Sequence, residues 1–109
     1  MEASMKYKLM IGAFEWVLDD SVEEVHMDNS LGLCDFEKLD ISIKKDLNEQ
    51  IKKSTVLHEL GHAFFASAGF DPKEEERIVD IYANQLFAFL NKNKAFIKEY
   101  FLEDDKPST

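Results

Sequence analysis

The stretch TVLHELGHAFF, Thr55–Phe65, places two histidines four residues apart, with a glutamate directly after the first. Residues four apart lie one turn above each other on the same face of an α-helix, so His58 and His62 can aim their imidazole rings at one point. The other face carries the apolar residues Leu57, Leu60 and Phe64. The pattern predicts a core helix with a metal site on one face. The alternative is an ordinary core helix with two solvated histidines.

Zinc is the metal that this spacing favours, because catalytic zinc sites use three protein ligands and keep one position open for water. Glu59 follows His58 and is rotated about 100° from it around the helix, which puts its carboxylate beside the metal. There it can take a proton from a water molecule whose pKa zinc lowers to around 7. Gly61 is expected to keep the helix surface near the metal free of side chains. We therefore predict one zinc ion per chain and Glu59 as catalytic base.

The ends of this helix are marked by capping residues. Asp46 with Glu49 three residues later fits a helix start, and Gly69 after Ala68 fits a left-handed stop. A second start follows at once, because Asp71 is a good cap and Pro72 suits the first helical position. Apolar residues then recur at helical spacing to about Asn91, where a break is expected before KAFIKEYFLE; they are Ile78, Ile81, Tyr82, Leu86, Phe89 and Leu90.

The third metal ligand is expected on the second helix, which the short GFDP turn folds back antiparallel onto the first. Its acidic residues are Glu74, Glu75, Glu76 and Asp80. Glu76 and Asp80 share one side of this helix, and that side can lie toward the histidines. We predict Glu76 as zinc ligand and Asp80 as the partner that holds a histidine by its remote N–H, although the two roles can be exchanged. The other interpretation, strongest for Glu74 and Glu75, is an acidic first turn that suits the helix dipole.

Strand patterns lie between Tyr7 and Lys44, on both sides of an acidic stretch. Apolar residues alternate from Tyr7 to Leu18 with a break at Gly12, which predicts one bulged strand or two short ones. The acidic DDSVEEVHMDNS is expected to be turn-like and solvated, and LGLCDF and LDISIK indicate a hairpin about Glu37 and Lys38. Strands first and helices second predict an α+β fold, one domain over residues 1–109, with a small antiparallel sheet packed on the two helices.

Composition and net charge exclude several classes of partner. The chain has 109 residues, 45% of them apolar, which is enough for one domain with its own core. Thirteen basic and 22 acidic residues give a net charge of -9, so nucleic acid is excluded as a partner. No stretch fits a signal peptide or a bilayer-spanning helix, and the single Cys34 cannot form an internal disulfide, so we expect a cytoplasmic protein with no membrane partner.

His58-Glu59-Leu60-Gly61-His62 is the HExxH pattern and resembles the zincin metallopeptidases, in particular the gluzincins. The segment from Glu76 to Tyr82 resembles the ExxxD segment of thermolysin-like enzymes, in which the glutamate binds zinc and the aspartate supports a histidine. Over roughly residues 14–91 the layout is similar to small ImmA/IrrE-type metallopeptidases, compact phage-encoded relatives and minigluzincins. The resemblance implies a peptidase acting on a protein or peptide, whose extended substrate pairs with the LGLCDF strand.

Several residues have weaker claims. Zincins usually polarise the scissile carbonyl with a further side chain, and the candidates Tyr82, Tyr100 and His26 also fit core, packing and turn positions. Cys34 is a possible zinc ligand of a latent form, but a lone strand cysteine is more often a small apolar residue. The acidic tail with Asp104 and Asp105 is either a blocking segment or a frayed end. The alternative function is a non-catalytic, zinc-stabilised interaction protein with an acidic binding surface.

Overall fold

A computed structural model of the chain describes residues 6–69 and 71–102. Within these residues, four strands precede three helices, with a 3-10 turn at Glu24–His26 and a π-helical turn at Lys98–Leu102. The strands are β1 (Lys6–Ile11), β2 (Phe14–Val22), β3 (Gly32–Asp35) and β4 (Asp40–Lys44), and the helices are α1 (Glu49–Ser67), α2 (Pro72–Lys92) and α3 (Lys94–Ile97). The predicted α+β class, with strands first and helices second, is confirmed.

The sheet has the order β1-β2-β4-β3 and is mixed. β1 and β2 form one antiparallel hairpin, and β3 and β4 form the other, which is the hairpin predicted about Glu37 and Lys38. The prediction of a wholly antiparallel sheet is wrong for the central pair, because β2 and β4 run parallel, with Leu18 opposite Ile41. The chain between the hairpins carries β3 past β4 to the outside, so that β4 fills the centre and β3 lies at the edge.

The stretch from Tyr7 to Leu18 forms two strands rather than one bulged strand. Gly12 makes the turn between them with φ +61, a conformation that residues with a Cβ rarely adopt. β2 is longer than expected, and its end lies in the acidic stretch predicted to be turn-like. Asp19 pairs with β1 and with β4, and Asp20 lies 3.1 Å from the Lys52 amino group. Ladder pairing and this ion pair offset the poor strand propensity of aspartate.

The hydrophobic core lies between the sheet and α1. Its buried cluster comprises Ile11, Trp16, Leu18, Ile41, Ile43 and Ala63, and Val56 and Leu60 of α1 pack against it. Phe64, expected on this face, is 42% exposed. The core face of α1 is therefore turned by about one residue from the predicted one, because Val56, Leu60 and Ala63 reach the sheet.

The first helix begins at a different cap from the predicted one. Asn48, not Asp46, is the N-cap, and its side-chain oxygen accepts from the Gln50 N–H at 2.9 Å. Asp46 has φ +62 and belongs to the turn before the helix. Gly69 has φ +87, as its predicted role as helix stop requires.

The second helix begins and ends as predicted. Asp71 is its N-cap, and the Lys73 N–H donates to the Asp71 side chain at 2.8 Å. The break falls at Asn93, which separates α2 from the short α3. Within the described residues, neither long helix has a stretch apolar enough to cross a lipid bilayer.

α1 and α2 approach each other closely at Gly61. A Cβ placed there would lie 3.2 Å from Val79 Cγ1, tighter than ordinary contact, and Val79 is fully buried. Gly61 was expected to keep the surface near the metal free of side chains. Its close approach to Val79 shows that the missing side chain lets α2 pack against α1. Through this contact, the first turns of α2 lie beside the histidine-bearing half of α1.

Candidate metal centre

The two histidines of α1 turn their rings toward each other. His58 Nε2 and His62 Nε2 are 3.2 Å apart. Two nitrogens at this distance either share one proton or share a cation, since both cannot carry protons that point at each other. A tetrahedral ion bound by two imidazoles at zinc's usual bond lengths separates their nitrogens by roughly 3.3 Å. The helix therefore holds the two nitrogens at a spacing that a tetrahedral metal ion can bridge.

Glu76 brings the third donor to the same point. Its Oε2 lies 3.4 Å from His62 Nε2, and its Oε1 lies 4.0 Å from His58 Nε2. The ligand atoms of the three residues all lie within 4.8 Å of one another, so this group can hold a metal ion. Two imidazoles and one carboxylate are a donor set that zinc accepts in catalytic sites. The structure thus brings together the three residues predicted as ligands.

Asp80 lies where its supporting role was predicted. Its Oδ1 is 3.6 Å from Nδ1 of His58, the ring nitrogen that faces away from His62. This distance is slightly longer than a hydrogen bond, and both side chains are partly exposed. Of the two alternatives left open by the sequence, the geometry favours Glu76 at the centre and Asp80 behind a histidine.

Glu75 is a site residue that sequence reasoning missed. Its Oε1 lies 2.7 Å from His62 Nδ1, and the residue is only 6% exposed. In the sequence it was assigned to an acidic first turn that suits the helix dipole. A signal was present, because Glu75 precedes the buried Val79 by four residues and Ala83 by eight, which places it on the inner face of α2.

Each histidine faces the common point with its inner nitrogen and has a carboxylate near its outer one, at hydrogen-bond distance for His62 and at 3.6 Å for His58. A carboxylate at Nδ1 favours the tautomer with the proton on Nδ1 and leaves Nε2 free as a ligand. His62 donates to Glu75, and His58 points its Nδ1 at Asp80. This is the support that metal-binding histidines ordinarily have in proteins.

Glu59 lies beside this group, against the sheet. The residue is 8% exposed, and a Cβ at Gly32 of β3 would lie 2.8 Å from Glu59 Cγ. Burial raises the pKa of Glu59, the imidazoles of His62 and His58 lower it to a smaller extent, and Glu76 raises it. A carboxylate with a raised proton affinity next to a metal site suits a general base.

Two shallow depressions along β3 adjoin Glu59, and the term cleft refers to both together. Both are lined by Gly32, His58 and Glu59, and their volumes are about 310 and 290 Å³. The first is completed by Ser30, Leu31, Ser54 and Thr55. The second is completed by Leu33, Cys34, Phe36, His62 and Glu76. The cleft thus follows the strand that the resemblance implies for peptide binding.

The three candidates for polarising a carbonyl are not among the residues that line this cleft. Tyr82 packs edge-on against Phe65 with ring centroids 5.7 Å apart. Tyr100 stacks on Phe96 at 5.2 Å, and His26 lies in the 3-10 turn. Their structural interpretations as packing and turn residues fit these positions.

Cys34 lines the cleft but behaves as an apolar residue. It packs against the core cluster, and its burial, together with the charges of Glu59 and Glu75, raises the pKa of the thiol to about 12. Among the described residues, the side chains that could hold a metal ion together are those of His58, His62 and Glu76, and Cys34 is not one of them. The blocking segment with Asp104 and Asp105 lies outside the described residues.

No model of a known protein family matches this chain, and no curated protein or solved structure matches it. The resemblance to zincins is therefore carried by the HExxH pattern of α1 and by the positions of Glu76 and Asp80 on α2. Function has to be argued from the chemistry of this site.

Proposed function

We propose that the protein is a zinc-dependent metallopeptidase that hydrolyses peptide bonds of a cytosolic protein or peptide. One observation carries the proposal: two imidazole nitrogens 3.2 Å apart face the Glu76 carboxylate, with the buried Glu59 beside them in an open cleft. Metal ligands, a base with raised proton affinity and access for a substrate are what metal-assisted hydrolysis needs.

His58, His62 and Glu76 are the residues that would hold the zinc ion. When bound, zinc supplies a Lewis acid that makes water a usable nucleophile at neutral pH. Glu75 and Asp80 keep the ring nitrogens pointed at the common site, as their positions at the two Nδ1 atoms indicate.

Glu59 moves the proton. Its carboxylate takes a proton from water in the cleft and, as a carboxylic acid, gives it to the leaving amine. Burial raises the pKa of Glu59, and the charge of a bound zinc ion would lower it, so the side chain would remain a carboxylate that can accept a proton. The contact with Gly32 restricts the side chain to the side of α1 that faces the cleft.

β3 is suited to hold an extended peptide. The Lys44 N–H donates to the Leu31 carbonyl at 2.9 Å, and pairing continues with Leu33 opposite Ser42. In an antiparallel ladder the hydrogen-bonded pairs alternate, so the backbone groups of Gly32 and Cys34 point away from β4. A substrate strand can pair with them next to Glu59.

Metal content and cleavage test the proposal together. Protein purified without chelator and supplied with a small excess of zinc should hold one zinc per chain by elemental analysis, and His58→Ala should lose it. Glu59→Gln should keep the zinc but lower cleavage of a broad peptide library by about 100-fold or more. No retained zinc in a folded wild type, or cleavage unchanged in Glu59→Gln, would contradict the proposal.

The second candidate is a non-catalytic, zinc-stabilised interaction protein whose acidic surface binds a basic partner. It is favoured by the absence of Tyr82, Tyr100 and His26 from the lining of the cleft and by the net charge of -9. In that case Glu59→Gln should leave cellular function intact, whereas His58→Ala should lose it with the zinc. Loss of function in Glu59→Gln, with zinc and fold retained, would exclude it.

A further inference from the structure

A groove separate from the cleft lies between α1 and α2. Its volume is about 390 Å³, and its apolar walls come from Val56 and Leu57 of α1 and from Phe87 and Leu90 of α2. Within the part of the chain that the structure describes, no residue lines both this groove and the cleft along β3. A ligand can therefore occupy the groove without filling the cleft.

The packing of the two helices explains why this space exists. α1 and α2 approach each other closely where Gly61 faces Val79. Phe87 follows Val79 by eight residues, about 12 Å along the helix axis. There the helices do not close over the apolar side chains, because Phe87 and Leu90 are only half-buried. A ligand with an apolar body gains free energy by covering this surface.

Lysines line the same groove. They are Lys52, Lys53 and Lys94, and the one carboxylate among the lining residues is Glu49. The whole chain has a net charge of -9, so an excess of positive charge at one apolar groove opposes its overall balance. A lysine can lay its methylene stem along apolar surface and keep its ammonium group at the edge, in water. The groove thus combines apolar walls with cations that suit an anionic head group.

The three lysines differ in how far they are already paired. The Lys52 amino group lies 3.1 Å from an Asp20 oxygen. The Lys53 amino group lies 4.0 Å from Glu49 on the same helix, in a pair that is largely exposed and therefore weak. Lys94 has no carboxylate partner among the described residues. Lys94 is therefore the cation most available to a ligand, with Lys53 next.

The size of the groove indicates a small ligand and not a protein partner. Small-molecule sites usually have volumes of roughly 300–1,000 Å³, and the groove lies near the lower end of that range. A stable protein interface takes roughly 20–30 residues from each side, far more than line this groove. One alkyl chain with a negatively charged head matches both the size and the chemistry.

We propose that the groove is a binding site for a carboxylate with one medium-length alkyl chain, the chemistry of a medium-chain fatty acid. The alkyl chain lies against Phe87 and Leu90, and the carboxylate binds Lys94. This site goes beyond the proposed peptidase function and does not depend on it, because the groove and the cleft share no described residue.

Calorimetry of the zinc-loaded protein tests the site with three probes, each below the concentration at which it forms micelles. Decanoate carries the alkyl chain and the anionic head, acetate carries the head alone, and decyltrimethylammonium carries a similar alkyl chain with a cationic head. One decanoate should bind per protein molecule, about tenfold or more tightly than decyltrimethylammonium and about 100-fold or more tightly than acetate. The net charge of -9 by itself favours the cationic probe, so the opposite preference reports the local lysines.

Charge reversal at one lysine locates the head group. Lys94→Glu should weaken decanoate binding by about tenfold or more and leave the zinc content unchanged. The matched control is Lys92→Glu, which makes the same change of charge at an exposed residue that does not line the groove. It should weaken binding by less than about threefold, because solvent screens the more distant charge. Equal losses in the two variants, or no preference for decanoate over the cationic probe, would overturn the proposal.

Shorter ligands test the apolar walls. A fully buried methylene group contributes about fourfold to affinity, so hexanoate should bind about tenfold or more weakly than decanoate. Leu90→Ala should also weaken decanoate binding, whereas Phe89→Ala, which removes an exposed neighbour that does not line the groove, should not. The comparison of hexanoate with decanoate uses the wild type and so does not require the Leu90 variant to fold. Equal affinities for the two acids would contradict an apolar site.

Two further measurements identify other occupants or another place for the carboxylate. Because a carboxylate can also bind zinc, decanoate binding that is lost in His58→Ala and retained in Lys94→Glu would place it on the metal and overturn the proposal. An amphipathic peptide of leucine and glutamate that displaces decanoate and binds more tightly would assign the groove to a protein segment, with the same consequence. Decanoate binding that persists in His58→Ala and is not displaced by the peptide supports the proposed site.

Discussion

His58 and His62 stand one helical turn apart, yet their surroundings differ. The His62 side chain is 15% exposed and donates to the buried Glu75 at 2.7 Å. The His58 side chain is 30% exposed and faces Asp80 at 3.6 Å, with Asp80 itself largely exposed. One half of the site is fixed by packing between α1 and α2, and the other half is open to the cleft. This combination suits a metal site that also binds a substrate. The packed half holds its side chains in a fixed geometry, and the open half leaves space for the substrate.

The largest difference is expected between His62→Ala and His58→Ala. Both should abolish tight zinc binding, measured by elemental analysis. Only His62→Ala should also destabilise the metal-free protein, by about 1–3 kcal/mol, because it leaves the buried Glu75 carboxylate without its partner. Urea unfolding of the metal-free proteins measures this difference. Equal stabilities of the two variants would show that Glu75 is solvated or has other partners.

Substitutions of the two supporting carboxylates should also lower zinc affinity unequally, with the larger loss at Glu75. Glu75→Gln should weaken zinc binding by about 10- to 100-fold, since the hydrogen bond that orients His62 loses its charge. Asp80→Asn should weaken it less, by under about tenfold, because an exposed partner contributes little. Competition with a chromophoric chelator gives both affinities. A larger loss for Asp80→Asn would reverse the assignment of the packed and open halves.

Substitutions at two glycines should disturb the carboxylates of α2 and the base Glu59 separately. Gly61→Ala introduces a Cβ 3.2 Å from Val79 Cγ1 and should shift α2, and with it Glu75 and Glu76, which lowers zinc affinity. Gly32→Ala introduces a Cβ 2.8 Å from Glu59 Cγ and should displace the base while leaving zinc affinity nearly unchanged. Zinc titration and peptide cleavage together distinguish them. An unchanged cleavage rate in Gly32→Ala would contradict the predicted contact between β3 and Glu59.

The smallest expected effect is the pH dependence of protein stability that Glu59 causes. Burial raises the pKa of Glu59 above its ordinary value of 4.5, so the folded protein binds this proton more tightly than the unfolded chain. The stability that protonated Glu59 contributes is present below that value and is lost as pH rises through the folded pKa. Metal-free Glu59→Gln should therefore gain stability relative to wild type as pH rises, measured by urea unfolding. A stability difference independent of pH would contradict the raised pKa.

The residues whose positions could be predicted best are those whose placement follows from one helix. The spacing of His58 and His62 puts both rings on one face of any α-helix, and Glu59 follows from the same geometry. Glu76 required one further assumption, that the next helix folds back on the first, and the turn between them supplies it. Local helix caps such as Asp71 could be predicted from the sequence in the same way.

What the sequence did not reveal depends on how elements meet. The burial of Glu75 is decided by the rotation of α2 against α1, which the Gly61–Val79 contact sets. The parallel pairing of β2 and β4 is decided by the path between two hairpins, which no local pattern encodes. The edge contact between the rings of Phe36 and Trp16 joins residues 20 positions apart, which no local pattern encodes either.

Glu75 and Glu76 are consecutive, so their side chains leave α2 about 100° apart. One reaches the buried side of His62 and the other reaches the metal-binding nitrogens. The rotation of α2 about its own axis is therefore decisive: a rotation by one residue, about 100°, would bring one of the two carboxylates to the place of the other and turn the other away from the histidines. An insertion or deletion of one residue between α1 and α2 should abolish metal binding even if every ligand is retained.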